Sequence, residues 1–320
     1  MNQLTAPADL SANNAVDPLL VLAENGKTFN WARRVLGADM GFAAAQLYAF
    51  CRHIDDIADG DAYSDGRGGK EMLLAIDAAL AGTAPAPDHQ TRAFLYFAAQ
   101  TNIPLEAARD LLAGLLADQE AVALESTDDL LVYGYQVAGT VGLMMASILR
   151  CREEAALPHA VCLGIAMQLT NIARDIAEDA EMGRRYVPGS WCARATASDI
   201  DASTRRDTSL RQEMQHAVAA LLQLADSYYA YGYHGLAALP LRAHLSIAVA
   251  GYCYQAIGHK LRRNGFVYWQ GRTVVGLGGK IIHSFKSLVS LRWRLQPLRP
   301  VPPEMLAPLL RSPHVRALRK

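Results

Sequence analysis

The sequence predicts an all-α protein. Apolar residues recur at threes and fours in one segment after another, no alternating apolar and polar run of convincing length appears, and the periodic stretches are rich in alanine. Of 320 residues, 51% are hydrophobic and 19% charged, the make-up of a chain that packs a substantial core rather than one that stays disordered. We read residues 1–320 as a single helical domain, with a frayed lead-in at 1–18 and a Pro-rich basic tail at 296–320.

Taken in order, residues 18–57 are helical around a polar break at 24–28, with Leu22, Phe29, Leu36, Phe42, Leu47 and Phe50 marking the apolar side. The Gly-rich, charged run 60–69 reads as a loop. Helical patterns resume at 72–80, stop at Pro85 and Pro87, and return at 90–100 and 105–116. Residues 128–150 form a long apolar helix whose Gly134, Gly139 and Gly142 permit a bend or a close approach. Pro158 opens the next helix in its first turn. A loop marked by Gly, Pro and Trp follows at 183–194, then helices at 207–231, 241–264 and 280–295.

Formal charge is zero overall and unevenly spread. Residues 256–320 hold thirteen Lys or Arg and one acid, Glu304, for a net +12; the rest of the chain is correspondingly −12. The five cysteines are scattered, without CxxC or zinc spacing, and a reduced setting is expected. The N-terminal stretch lacks the bases and apolar core of a secretory leader, and no uninterrupted apolar run reaches the length of a spanning helix. A cytoplasmic location with peripheral membrane association is the expectation, and no nucleic-acid partner is expected.

Two acidic stretches carry the chemistry. In QLTNIARDIAEDAEMGRRYVP, Asn171, Asp175 and Asp179 stand at i, i+4 and i+8 and drift by only about 40° per step on a helix of 3.6 residues per turn, so they share one face, with Gln168 on the same stripe. A row of side-chain oxygens suits a hard divalent cation completed by water and phosphate oxygens. In LYAFCRHIDDIADG, Asp55, Asp56 and Asp59 crowd one end of another helix, where like charges repel. That arrangement has little structural motive, and bound cations would supply one. Arg184 and Arg185 either cap a helix end, where cations are favoured, or serve an anionic ligand.

The segments KTFNWARRVL, LYAFCRHIDDIADG, YGYQVAGTVGLMMA and QLTNIARDIAEDAEMGRRYVPGSW together resemble the squalene and phytoene synthase family, its bacterial carotenoid-forming members in particular, over about residues 20–290. The resemblance implies a class I isoprenoid synthase fold, two Asp-rich helices facing across a central cavity, and metal-dependent head-to-head coupling of two prenyl diphosphates. It assigns Asp55, Asp56, Asp59, Asn171, Asp175 and Asp179 to magnesium or manganese. Arg52, Arg174 and Arg185, the entry residues Lys27, Thr28 and Phe29, and Tyr254 and Arg272 go to the diphosphates. Gln168 is placed over the reacting carbons, and Val137, Ala138 and Gly142, with Tyr133, on a bent helix lining the tail cavity. Either Tyr133 or released diphosphate is expected to take the final proton.

The implied reaction joins two geranylgeranyl diphosphates through prephytoene diphosphate to phytoene, the first committed step of carotenoid synthesis. It ends in proton loss, so no NADPH is expected. The alternatives are a C30 enzyme of the same family acting on farnesyl diphosphate and a non-catalytic, membrane-associated assembly protein. Upstream and downstream carotenoid enzymes are candidate partners. The helix at 280–295, with Ile281, Ile282, Phe285, Leu288 and Val289 along one side and basic residues around it, either docks on the body or rests on an anionic membrane surface.

Overall fold

The computed structural model describes residues 17–60, 68–120, 122–206 and 209–315. Its helices are α1 (Pro18–Asn25), α2 (Lys27–Leu36), α3 (Ala38–Ala58), α4 (Gly69–Leu80), α5 (His89–Thr101), α6 (Leu105–Ala117), α7 (Thr127–Gly134), α8 (Thr140–Ile148), α9 (Leu157–Glu181), α10 (Ala197–Arg205), α11 (Ser209–His234), α12 (Leu241–Arg263), α13 (Leu277–Lys286) and α14 (Pro303–Leu306). Among the described residues there is no strand, only an isolated parallel bridge between Ala123 and Arg185. Most of the expected lead-in (1–16) and of the expected loop (61–67) lies outside the described residues.

The bundle is built around α9. Leu169, Ile172, Ala173 and Ile176 are almost wholly buried on it, and full burial of each large aliphatic side chain contributes about 1.5–3 kcal/mol. That apolar stripe holds α9 against α8, α10 and α11. The polar stripe of Gln168, Asn171, Asp175 and Asp179 is left pointing elsewhere. Segments 127–148 and 154–181 are each long and apolar enough to span a bilayer by length and composition, although neither is an uninterrupted apolar run. In each, 56% of the apolar window is buried inside the protein, so both serve as core helices here.

The helix expected at 128–150 bends through a π-turn, Tyr135–Gly139, between α7 and α8. Its glycines permit close approach rather than flexibility. A Cβ on Gly142 would sit 2.4 Å from the Ala160 carbonyl oxygen, and one on Gly164 of α9 would sit 2.4 Å from that of Ala138. The two helices therefore touch backbone to backbone.

The C-terminal segment is docked on the bundle: Leu309 and Val315 are buried, Tyr228 donates to the Met305 carbonyl at 2.9 Å, and buried Asp110 accepts from the Ser312 hydroxyl and the His314 N–H at 2.8 and 2.9 Å. The helix expected at 280–295 ends at Lys286 and continues as a 3-10 run, Ser287–Leu295. α10, absent from the periodicity reading, is set by a capping box in which Thr196 and Asp199 satisfy each other's backbone N–H groups.

Candidate active site

Three helix ends converge. α3 delivers Asp55, Asp56 and Asp59 in its last turn and cap, α9 delivers Asn171, Asp175 and Asp179, and α6 delivers Asp118 at its C-cap. The Gln119 amide donates to the Ala58 carbonyl at 2.7 Å and pins the end of α6 to the end of α3. Asp118 is thereby brought into the field of Asp55 and of Asp179. Its Oδ2 accepts from the hydroxyls of Tyr133 and Tyr186 at 3.0 and 3.2 Å, and the two tyrosine rings stack at 4.6 Å.

The turn after α9 sends a cation back into this cleft. Gly183 adopts φ +78, a left-handed C-terminal stop, and the Arg184 N–H returns to the Asp179 carbonyl at 2.8 Å. Arg184 then donates from Nη2 to Asp59 Oδ1 at 3.0 Å and lies within the fields of Asp55, Asp118 and Asp179. Asp175 is clasped from two sides. Arg174 donates to both its oxygens, and Arg272 approaches the same two oxygens at 3.1 and 3.2 Å. Arg52 bonds Asp55 at 3.1 Å and pairs with Asp56.

Burial, and after it the neighbouring carboxylates, push these acids' proton affinities upward. Desolvation and then Asp59 raise Asp55 to about 6; desolvation and then Asp175 raise Asp179 to about 7. Desolvation raises Asp118 to about 6 against the bonds from Tyr133 and Tyr186. So many inward-facing acids leave the cleft short of positive charge.

The donor set fits a divalent cation shared with a ligand. It consists of hard oxygens, and Asn171 Oδ1 is buried with no hydrogen-bond partner, a cost that a ligand to that oxygen would remove. Among the described residues no three His, Cys, Asp or Glu side chains close around a single point.

Beside the acids opens an apolar cavity of about 330 Å³. Val137, Ala138, Gly142 and Met145 form one wall; Gln168 and Asn171 stand among its lining residues, as do Phe29 and Tyr254, whose rings lie 5.4 Å apart. Lys27, Thr28 and Phe29 are the first three residues of α2, and no side chain caps that terminus. Their N–H groups are suited to an anion. Tyr254, on α12, lies within the field of Arg174, Asp175 and Arg272, so it and Arg272, which follows that helix, both stand against the acidic stripe of α9.

Two expectations are corrected. Arg185 does not face the cleft: its side chain is 4% exposed and donates to the carbonyls of Leu124 and Val187 and to Glu125, holding the loop that the Ala123–Arg185 bridge starts. Tyr133 is not among the residues lining the cavity, and its hydroxyl is committed to Asp118. Burial and the Asp118 charge hold that phenol well above its ordinary range, so it stays a protonated donor to Asp118. Sequence reading also missed Asp118, and it left Arg184 as either a helix cap or a group for an anionic ligand, without its pairing to Asp59. The one available signal was Asp118 itself, an acid at a helix C-terminus, where negative charge is disfavoured.

A helical bundle in which two acidic helices meet at the mouth of an apolar cavity defines the class I isoprenoid synthase fold. Solved structures share it: a dehydrosqualene synthase bound to a ligand superposes with a TM-score of 0.74 at 24% identity, over 86% of this chain and 95% of that one. A squalene synthase from Alicyclobacillus acidocaldarius gives 0.65 at 24% identity, over 78% and 93%. Residues 22–278 match the squalene/phytoene synthase family model. The 15-cis-phytoene synthase of a Paracoccus strain is 36% identical over 270 residues, 81% of this chain and 86% of the relative. That of Enterobacter agglomerans is 35% identical over 254 residues, 77% and 85%. The chain belongs to the squalene/phytoene synthase family.

Proposed function

We propose that this protein joins two geranylgeranyl diphosphates head to head, through prephytoene diphosphate, to phytoene, with release of two diphosphates. The observation that carries this reading is the abrupt border between the apolar cavity and the carboxylate cleft at Gln168 and Asn171. It separates a prenyl tail from its diphosphate at the carbon where the bond breaks. The names of the curated bacterial relatives favour the C40 product over a C30 one. Retention of all five acids with Asn171 speaks against a non-catalytic assembly role.

Magnesium or manganese held by Asp55, Asp59, Asn171, Asp175 and Asp179 supplies charge neutralisation for the leaving diphosphate when bound. The chain's own groups do the rest. N–H groups at the start of α2 bind diphosphate oxygens, while Arg184, Arg174 and Arg272 place positive charge where negative charge develops. Val137, Ala138 and Met145 exclude water that would quench an allylic cation. The Gln168 amide, whose oxygen accepts from Asn171 Nδ2 at 3.4 Å, lines the cavity where that cation forms. With Tyr133 locked as a donor, released diphosphate takes the final proton. Diphosphate release from the C20 substrate with magnesium and without reductant tests the reading; release from the C15 substrate alone overturns the chain-length assignment.

A further inference from the structure

The C-terminal segment is folded inside out. Along α13 and the first turns of the 3-10 run that follows, the inward side is polar, with Trp293 farther along packing against His234 and the body. Ser284 accepts from the Trp31 indole at 3.0 Å, Lys280 donates to the Lys27 carbonyl at 3.1 Å, and buried Ser290 meets the imidazole of buried His244 at 2.8 Å. The outward side is apolar. Leu277, Ile282, Phe285, Leu288 and Val289 are 64, 55, 68, 53 and 57% exposed, Leu295 is 89% exposed, and α13 has no buried residue. A helix free to choose would bury the isoleucines and expose the serines, because burying each apolar side chain is worth more than a net hydrogen bond. Here the serine stripe has partners in the body, and the apolar stripe has none. So large a contiguous patch on the surface of a chain marks something that covers it.

Charge identifies the cover. Lys286 and Arg292 flank the apolar stripe, and Lys286 shares one field with His259 and His283. Lys260, Arg262 and Arg263 end the neighbouring α12. Residues 256–320 carry +12 with Glu304 as the sole acid. A second copy of the chain apposed through this face would set one cationic rim against another. An anionic lipid surface offers apolar depth beneath the stripe and negative headgroups around it.

We propose that residues 277–295 are an interfacial anchor that lays this face of the protein on an anionic bilayer. The inference rests on the exposed stripe and its charges and is independent of the reaction catalysed.

Vesicle flotation of the full chain tests it, using phosphatidylcholine vesicles and vesicles of phosphatidylcholine and phosphatidylglycerol in equal parts. The wild type floats with the mixed vesicles. Replacing two anchors together, Ile282→Ser and Phe285→Ser, weakens binding to them by at least about tenfold. Replacing Lys286→Gln with Arg292→Gln weakens binding to the mixed vesicles by on the order of twentyfold and leaves the weak binding to pure phosphatidylcholine unchanged. All four positions are exposed and outside the active site, so circular dichroism and turnover in detergent stay at wild-type values. Absence of flotation with the mixed vesicles overturns the proposal. So does flotation that neither pair of substitutions weakens. A wild-type dimer that the apolar pair converts to monomer without change in flotation assigns the face to a second copy and overturns it equally.

Discussion

Arg184 Nη2 lies 3.0 Å from Asp59 Oδ1, and this bond closes the cleft between the helix bearing the first acidic motif and the turn that ends the second. The two residues are 125 positions apart in the chain. Their pairing turns two separate acidic helix ends into a single site, with the arginine amid the charges of Asp55, Asp118 and Asp179.

Arg184→Gln removes the one cation that all these acids share. Turnover should fall by roughly 10²–10³-fold, the usual consequence of losing one preorganised charge at a developing anion. Its side chain is only partly buried, so the helical circular dichroism signal and the denaturation midpoint should barely move. Initial rates beside a denaturant titration of the same preparation check both halves.

Its neighbour behaves oppositely. Arg185→Gln deprives buried acceptors of their donor and should destabilise the fold by about 3 kcal/mol in urea titrations. At a temperature where the variant stays folded, the affinity for diphosphate should be near that of the wild type. A variant with normal stability and lost diphosphate binding would return Arg185 to the site.

Tyr133→Phe distinguishes a positioning hydroxyl from a proton acceptor. The phenol donates to Asp118 and shares that carboxylate with Tyr186. Losing one of two donors should cost less than about tenfold in kcat, with an unchanged product. A loss on the scale of a general base, about 10²–10⁴-fold, would contradict the assignment of the proton to diphosphate.

His159 provides a pH signature of the core. Its Nδ1 bonds the Tyr231 carbonyl at 2.8 Å, its Nε2 is buried without a partner, and burial lowers its pKa below 6.5. As pH falls below 6.5, the unfolded chain takes up a proton that the folded chain refuses. The stability contributed by the neutral ring is therefore complete above 6.5 and is lost toward the folded pKa. The raised carboxylates Asp55, Asp118 and Asp179 act in the reverse sense over part of the same range. They are common to wild type and His159→Gln, so they cancel in the difference. Urea titrations of the pair should show the wild-type advantage shrinking as pH is lowered through 6.5; a constant advantage would contradict this.

What could be read from the sequence was whatever periodicity encodes. Asp55, Asp59, Asn171, Asp175 and Asp179 were visible because helical spacing alone puts them on shared faces. Direction was not encoded. The pattern at 280–295 shows an apolar side without showing that Ser284 and Ser290 would claim the body and turn that side outward. Nor does spacing separate Arg184 from Arg185, since the choice rests on the left-handed turn at Gly183 and on the bridge from Ala123. Asp118 escaped for a related reason. A single acid has no period, and only the contact of Gln119 with Ala58 brings it to the cleft.

The central claim is that one cleft ionises two C20 diphosphates beside a dry cavity. Its most direct test is to incubate the purified protein with magnesium, detergent and geranylgeranyl diphosphate, without NADPH, and to weigh the extracted hydrocarbon by mass spectrometry. The account predicts phytoene, two diphosphates released per molecule, and loss of both in EDTA. Folded protein that yields no hydrocarbon, or that makes one only from farnesyl diphosphate, would contradict it.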